Sequence, residues 1–196
     1  MKISPILLVL AVCLSIAAQV QAQTRYVKVS NRGKALPESA KLGTSIDDWA
    51  CTYDKTTDLI WEVKVSDPNH LRHMAWGYSW YDSPPSIPHY GSRKACPTPA
   101  FCNTEQFVKD VNAANLCGAS DWRMPTKDEL KSIADKNRSN PSIDWAFFPN
   151  TLSSYFWSGS PHAAFSSYAW YVSFISSGIV NDDGASSSYR SPSFAS

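Results

Sequence analysis

An apolar leader followed by four cysteines most constrains what this chain can fold into. Residues 1–22 begin with a lysine at position 2, continue through an uninterrupted apolar run over 6–14, and end in small or medium residues at 20–22. This pattern is typical of a secretory signal peptide cleaved after Ala22. The run is shorter than the roughly 20 apolar residues that cross a bilayer, so we expect no membrane span in the mature protein. A secreted, periplasmic or cell-surface location follows, where cysteines form disulfides.

The mature cysteines are Cys51, Cys96, Cys102 and Cys117, and four cysteines allow three connectivities. Residues 104–114 are predicted as a helix, which would hold Cys102 and Cys117 roughly 20 Å apart. A disulfide requires Cα atoms within about 7 Å. We therefore favour Cys96–Cys102, which closes a small loop, and Cys51–Cys117, which joins the front of the domain to its middle. Zinc binding is the weaker alternative, because the sequence contains no C-x-x-C pair.

The charge balance argues against one class of partner. The chain has 18 Lys and Arg against 17 Asp and Glu, and only one of these charges lies in the leader. Nucleic-acid binders take most of their affinity from neutralised phosphates, so we expect no nucleic-acid partner for this nearly neutral chain. Aromatic residues make up 13% of the sequence and include eight tryptophans, which supplies enough apolar bulk for a packed core.

Residue patterns divide the chain into a leader over 1–22, a basic N-terminal arm or edge strand over 23–46, and a single domain over 47–196. The arm contains five basic residues and one acidic residue, with a β-type run at 26–29. Within the domain, alternating and β-branched residues predict several strands. The predicted strands are a hairpin at 50–53 and 59–63 and further strands at 155–158 and 169–174, with turns at 176–178 and 182–184.

Two helices are predicted between these strands. The first spans 104–114 and is capped by Thr104, with Phe107 and Val111 on its buried face. The second begins with a capping box, in which the Thr126 hydroxyl accepts from the amide of Glu129 and the Glu129 carboxylate accepts from the amide of Thr126. Its buried stripe contains Leu130, Ile133 and Ala134.

The segment around the second helix resembles the signature of a known family. Residues 117–118 read CG and residues 121–130 read DWRMPTKDEL. They are similar to the C-G-x-x-D-W-R-L-P-T-x-x-E-L motif of the Lcl C-terminal domain family, also called DUF1566. Flanking segments follow the family in order over about residues 25–190, except that the family's closing V-R-x-V-R strand is replaced by residues that end in Pro192. Because proline cannot donate to a β-ladder, we expect a shortened terminal strand.

The resemblance implies a C-type-lectin-like α+β fold, with two helices packed on short antiparallel β-strands and stapled by disulfides. It also implies an exported bacterial domain, and for the founder group an affinity for sulfated polysaccharide. Related formylglycine-generating enzymes use a dedicated cysteine pair. Since we expect all four cysteines of this chain to be bridged, we predict no such activity and no catalysis.

The leading hypothesis is therefore a non-catalytic recognition module, adhesin-like or lectin-like, that binds carbohydrate or sulfated polysaccharide. The alternative is a structural or assembly component of a bacterial envelope or appendage complex that acts through protein contacts. Sugars stack on exposed aromatic faces, and sulfate groups bind Arg and Lys. The candidate aromatic residues, all in an irregular Pro-rich segment, are Trp76, Trp80, Tyr81 and Tyr90. The candidate cations are Lys127 and Lys131, with Arg93, Lys94, Lys136 and Arg138 as further members.

Other charged and aromatic residues receive a structural interpretation. Trp122 is expected in the core, with Asp121 and Arg123 bound to the backbone or to each other. No cofactor or metal is predicted. Two weaker alternatives are a site at His70 and His73, which lack a third ligand nearby, and calcium binding by Asp182 and Asp183. Calcium takes six to eight oxygen ligands, and a plain hairpin turn explains the two aspartates more simply.

Overall fold

Two largely antiparallel β-sheets, two α-helices and two disulfides form a small α+β fold in the described part of the chain. This computed structural model describes residues 24–80, 96, 102–165, 168–176, 178–184 and 189–190. The predicted leader lies outside these residues. So do four of the candidate binding residues, namely Tyr81, Tyr90, Arg93 and Lys94.

The first sheet has four strands in the order β2-β1-β3-β4. These are β1 (Tyr26–Ser30), β2 (Ala35–Leu36), β3 (Trp49–Asp54) and β4 (Leu59–Glu62). The predicted hairpin is confirmed, since β3 and β4 pair with Cys51 opposite Glu62. The arm over 23–46 contains both β1 and β2. The β-type run at 26–29 forms β1, an inner strand that pairs with β2 on one side and β3 on the other, and β2 is the edge strand of the sheet. A turn through Gly33, at φ +86°, brings β2 back alongside β1.

The second sheet has five strands in the order β5-β9-β6-β7-β8. These are β5 (Gly77–Tyr78), β6 (Tyr155–Pro161), β7 (Tyr168–Ser173), β8 (Ile179–Gly184) and β9 (Tyr189–Arg190). Strands β6 and β7 were predicted, as was the turn before β8. The turn predicted at 182–184 is wrong: these residues continue β8, where Asp182 lies opposite Trp170 of β7. A long partner strand therefore overrides the turn preference of Asp and Gly.

The helices are α1 (Thr104–Ala113) and α2 (Lys127–Ser132). Thr104 is not the cap of α1, because Asn103 has the extended backbone of a cap and its side chain accepts from the amide of Gln106 at 2.8 Å. Thr104 is instead buried in the first turn. The capping box of α2 is confirmed, with both hydrogen bonds between Thr126 and Glu129 present.

The structure contains both disulfides that the sequence favoured. The Cα atoms of Cys51 and Cys117 are 6.4 Å apart and those of Cys96 and Cys102 are 5.6 Å apart. The first bridge lies in a core cluster with Phe107, Val111 and Trp122. A second cluster packs Leu130 of α2 against both sheets, with Trp61, Phe156, Val172 and Phe174 among its members.

A buried arginine, Arg72, binds the segment between β4 and β5 to the first sheet and the residues beside it. The guanidinium of Arg72, 1% exposed, donates to the carbonyls of Ala50, Val63 and Gly43 at 2.7 to 3.0 Å. Three backbone acceptors compensate for the burial of this charge. No periodic pattern indicates this contact, because Arg72 binds backbone groups up to 29 residues away.

Candidate binding surface

The family-like motif at residues 117–130 holds the core together. Trp122 is 2% exposed and its indole donates to the carbonyl of Leu116 at 2.9 Å. Asn112 of α1 binds both backbone groups of Trp122, accepting from its amide and donating to its carbonyl. These bonds hold Trp122 against α1, and its burial confirms the prediction that it lies in the core.

Two residues at the start of the motif have left-handed backbone conformations. Cys117 has φ +54° and Gly118 has φ +75°. A Cβ atom on Gly118 would lie 3.0 Å from the carbonyl oxygen of Arg32, in the turn between β1 and β2. Glycine is therefore required there both by the backbone angle and by the close approach of the turn.

The arginine of the motif has a different main partner from the one expected. Arg123 donates to the backbone of Met124, but its guanidinium also forms a two-pronged ion pair with Glu129, at 2.9 and 2.7 Å. These hydrogen bonds lower the pKa of Glu129 to about 2. Because Glu129 also completes the capping box, Arg123 locks the start of α2.

The end of the motif is anchored on an irregular part of β6. The pairing of β6 with β7 shifts register between Trp157 and Pro161. Here the amide of Gly159 donates to the carbonyl of Pro125 at 2.7 Å, and the amide of Lys127 donates to the hydroxyl of Ser160 at 3.1 Å. The motif thus fixes the strand at the point where the chain leaves the sheet toward the β6–β7 turn.

Aromatic rings in mutual contact lie beyond this anchor. The imidazole of His162 stacks on Trp170 with ring centroids 5.3 Å apart and lies 5.0 Å from Phe165, which in turn lies 5.8 Å from Tyr168. The ammonium of Lys127 lies 4.6 Å from the centroid of the Trp170 ring. We call these five side chains the hairpin surface.

The hairpin surface is both exposed and internally braced. Phe165 is 58% exposed and Tyr168 40%. The Nδ1 atom of His162 accepts from the amides of Ala164 and Phe165, each at 3.2 Å, which fixes the imidazole between its neighbours. These bonds shape the loop that carries the exposed rings.

Charged and polar groups accompany the rings. Asp182 is the cross-strand partner of Trp170, so both side chains lie on the same face of the sheet. Lys131 is exposed one turn along α2 from Lys127. The surface can therefore offer aromatic faces together with cationic donors and a carboxylate acceptor.

The structure separates the predicted binding residues. Trp80 does not present an exposed ring, contrary to expectation: it is 7% exposed and its indole donates to the carbonyl of Ser158 beneath β6. Trp76 is half-buried and its indole donates to the carbonyl of His70.

The candidate cations are separated as well. Lys127 joins the hairpin surface, whereas Lys136 and Arg138 lie beyond the end of α2. Arg138 there forms ion pairs with Asp135 and Asp144.

Sequence reasoning missed the rings at 162, 165, 168 and 170. The alternation of residues 169–174 correctly placed Trp170 on the same face as Val172 and Phe174, which are buried. Trp170 lies at the end of that face, where the Lys127 side chain contacts it in place of the core. The available signal was two aromatic strands joined by a short segment that itself carries His162 and Phe165.

The weaker metal alternatives gain no support. Within residues 24–80, 102–165 and the other described positions, no three His, Cys, Asp or Glu side chains lie close enough to share a metal ion. Nδ1 of His70 accepts from the amide of Arg72. Asp182 and Asp183 are consecutive in β8, so their side chains leave opposite faces of the sheet. The described residues also contain no helix long and apolar enough to cross a membrane.

Comparison with known proteins identifies the family. No curated protein and no solved structure matches this chain. The model of the Lcl C-terminal domain matches residues 50–191, which includes the motif, both disulfides and the hairpin surface. That match spans most of the sequence. The chain therefore belongs to the Lcl C-terminal domain family.

Proposed function

We propose that the mature protein is an exported, non-catalytic recognition module that binds carbohydrate through the hairpin surface. The observation that carries this proposal is the contiguous set of rings around Phe165 and Tyr168, with Lys127 above Trp170. Exposed apolar groups gathered on one surface commonly mark a binding site. Most of the other tryptophan, tyrosine and phenylalanine side chains in the described residues are buried or half-buried.

The chemistry of the hairpin surface suits sugars. The C–H face of a sugar ring packs on an exposed aromatic face, and its hydroxyl groups need donors and acceptors at the edge of that contact. Phe165 and Tyr168 supply the faces, Lys127 supplies a donor, and Asp182 supplies an acceptor. Because His162 and the bulged β6 hold these groups in place, little conformational entropy is lost on binding.

Sulfated polysaccharide is the form of carbohydrate that the cations favour. Lys127 lies beside the Trp170 ring, and the exposed Lys131 adds a second positive charge one helical turn away on α2. Ion pairing between ammonium and sulfate weakens as salt screens it. We expect affinity to fall with added salt but not to vanish, because the stacking contribution does not depend on salt.

Export, absence of catalysis and a C-type-lectin-like fold belong to the same proposal. The apolar leader and the two disulfides support an oxidising compartment. Bridged cysteines leave no thiol for formylglycine-type chemistry. Two sheets with two helices and a disulfide that ties β3 to the motif are compatible with the lectin-like architecture.

The test is binding of the oxidised mature protein to heparin, fucoidan and neutral polysaccharides, followed by a glycan array. A Phe165→Ala/Tyr168→Ala double variant should lose at least about tenfold in affinity, since two stacked rings contribute about 1 kcal/mol each. Trp145→Ala is the matched control, because Trp145 is 52% exposed and lies outside the hairpin surface. The control should bind like the wild type.

Two outcomes would contradict carbohydrate recognition. One is the absence of binding to every polysaccharide at any salt concentration. The other is equal binding by the double variant and the wild type. A protein that co-purifies in stoichiometric amount, and is lost with the double variant, would instead favour the envelope or appendage assembly role.

A further inference from the structure

An exposed turn after α2 carries a modification signal that the binding proposal does not use. Residues 137–139 read Asn-Arg-Ser, the acceptor pattern for N-linked glycosylation. The next asparagine, Asn140, is followed by Pro141 and Ser142, and proline in the middle position excludes a sequence from acceptor use.

The geometry leaves Asn137 accessible. Asn137 and Ser139 are both exposed. The backbone amide of Asn137 donates to the Asp135 carboxylate at 2.9 Å, which forms a tight turn. The carboxamide of Asn137 makes no hydrogen bond within the described part of the chain. A glycan on this side chain would displace no packed group and would break none of these contacts.

We propose that Asn137 is an acceptor for an N-linked glycan. The co-reactants are an oligosaccharide carried on a polyprenyl pyrophosphate and a membrane-bound oligosaccharyltransferase. The amide nitrogen of Asn137 attacks the anomeric carbon of the first sugar and forms the new C–N bond. The C–O bond to the pyrophosphate breaks, the polyprenyl pyrophosphate leaves with the bonding electron pair, and the amide nitrogen loses one proton to a base of the transferase.

An exposed tryptophan beside the acceptor supports this assignment. Trp145 is 52% exposed, and the guanidinium of Arg138, the middle residue of the acceptor, lies 5.8 Å from its ring centroid. Ion pairs of Arg138 with Asp135 and Asp144 hold the acceptor turn against the segment that carries Trp145. The first sugar of a glycan on Asn137 can therefore cover this otherwise exposed ring.

The acceptor and the hairpin surface are at opposite ends of α2. Lys127 of the hairpin surface is the first residue of that helix, and Asn137 follows its last residue, Ser132. The glycan is therefore attached beyond the end of α2 that lies away from Lys127. The inference rests on export, which is part of the proposed function, and does not depend on carbohydrate binding.

The test is expression of the full chain in a bacterium that supplies both the transferase and its lipid-linked oligosaccharide. Intact mass and peptide mapping of the exported protein should show one glycan, on Asn137. Asn137→Gln and Ser139→Ala should abolish the modification, and Ser139→Thr should keep it. Asn140, three residues away with proline behind it, is an internal control that should stay unmodified in every sample.

A second measurement tests the role of Trp145. The glycan should raise the Tm of the wild-type domain by about 2 °C and should leave that of a Trp145→Ala variant unchanged. An exported, cleaved and disulfide-bonded chain with a bare Asn137 would overturn the glycosylation proposal and leave carbohydrate binding standing. A chain that stays uncleaved and reduced would overturn export, and with it both proposals.

Discussion

The motif at residues 117–130 and the hairpin surface share Lys127, which occupies a variable position of the motif, yet they use aromatic residues in opposite ways. Trp122 of the motif is 2% exposed and hydrogen-bonded at its indole. Phe165 of the hairpin surface is 58% exposed. The aromatic residue of the family motif is thus explained by the requirements of folding. The candidate ligand contacts lie at exposed positions, where packing in the core does not determine which residue is present. A specific motif and a binding site need not coincide.

The largest expected effect lies at the centre of the motif. Trp122→Ala should lower the free energy of unfolding by about 3–5 kcal/mol, because it removes a large buried side chain and leaves a cavity. Urea denaturation of the oxidised domain measures this change. Trp145→Ala provides the comparison and should change stability by less than about 0.5 kcal/mol. Equal effects of the two substitutions would remove the distinction between a structural motif and an exposed surface.

The glycine of the motif should give the next largest effect. Gly118→Ala should cost about 2 kcal/mol, since it combines a left-handed backbone with a Cβ atom 3.0 Å from the Arg32 carbonyl. Gly43→Ala is a useful control. Its Cβ atom would crowd the Asp48 side chain, including the Asp48 Cβ at 3.0 Å, but at an ordinary backbone angle. A cost at Gly43 as large as at Gly118 would show that crowding alone, without backbone strain, explains the motif glycine.

Local physical rules predicted part of this fold and long-range packing decided the rest. The capping box of Thr126 and Glu129 and the β3–β4 hairpin depend on neighbours a few residues apart, so the sequence specified them. The cap of α1 was misplaced by one residue, because Asn103 and Thr104 are both good capping residues. The short strand β2 was missed, because two residues have no period to detect.

Exposure of aromatic residues was the least predictable property of the candidate site. Trp80 is buried because its indole meets a carbonyl 78 residues further along the chain. Trp170 belongs to the predicted apolar face, but at that end of the face Lys127 is its neighbour. Which ring remains outside depends on where α2 begins relative to β7, and no local sequence pattern contains that distance.

A smaller effect with a pH signature is expected from the Arg123–Glu129 pair. The pKa of Glu129 is lowered to about 2 in the folded protein, from an unfolded value of 4.5. Its contribution is therefore complete above about pH 4.5 and is lost as the pH falls toward about 2. Because Arg123 is half-exposed and solvent screens the pair, we expect Glu129→Gln to cost about 1 kcal/mol at pH 7.

Stability measured against pH separates this ion pair from the cap. Glutamine at position 129 can still accept from the amide of Thr126, so the capping box survives the substitution. The difference between wild type and variant should shrink as the pH falls from about 4.5 toward 2. Asp128→Asn changes a neighbouring carboxylate in the same turn and should leave that pH dependence in place. A pH-independent difference for Glu129→Gln would mean that Arg123 contributes nothing to the start of α2.

The smallest effect on stability is expected where the proposed effect on binding is largest. Phe165→Ala and Tyr168→Ala remove rings that are exposed, so each should change the free energy of unfolding by less than about 0.5 kcal/mol. Thermal and urea unfolding of both variants measures this, with Phe156→Ala as the buried control of the same residue type in β6. A loss above about 1.5 kcal/mol at Phe165 or Tyr168 would place these rings with the core residues and leave the carbohydrate proposal without a surface. Near-neutral stability combined with lost binding would locate recognition in the hairpin surface and folding in the motif that supports it.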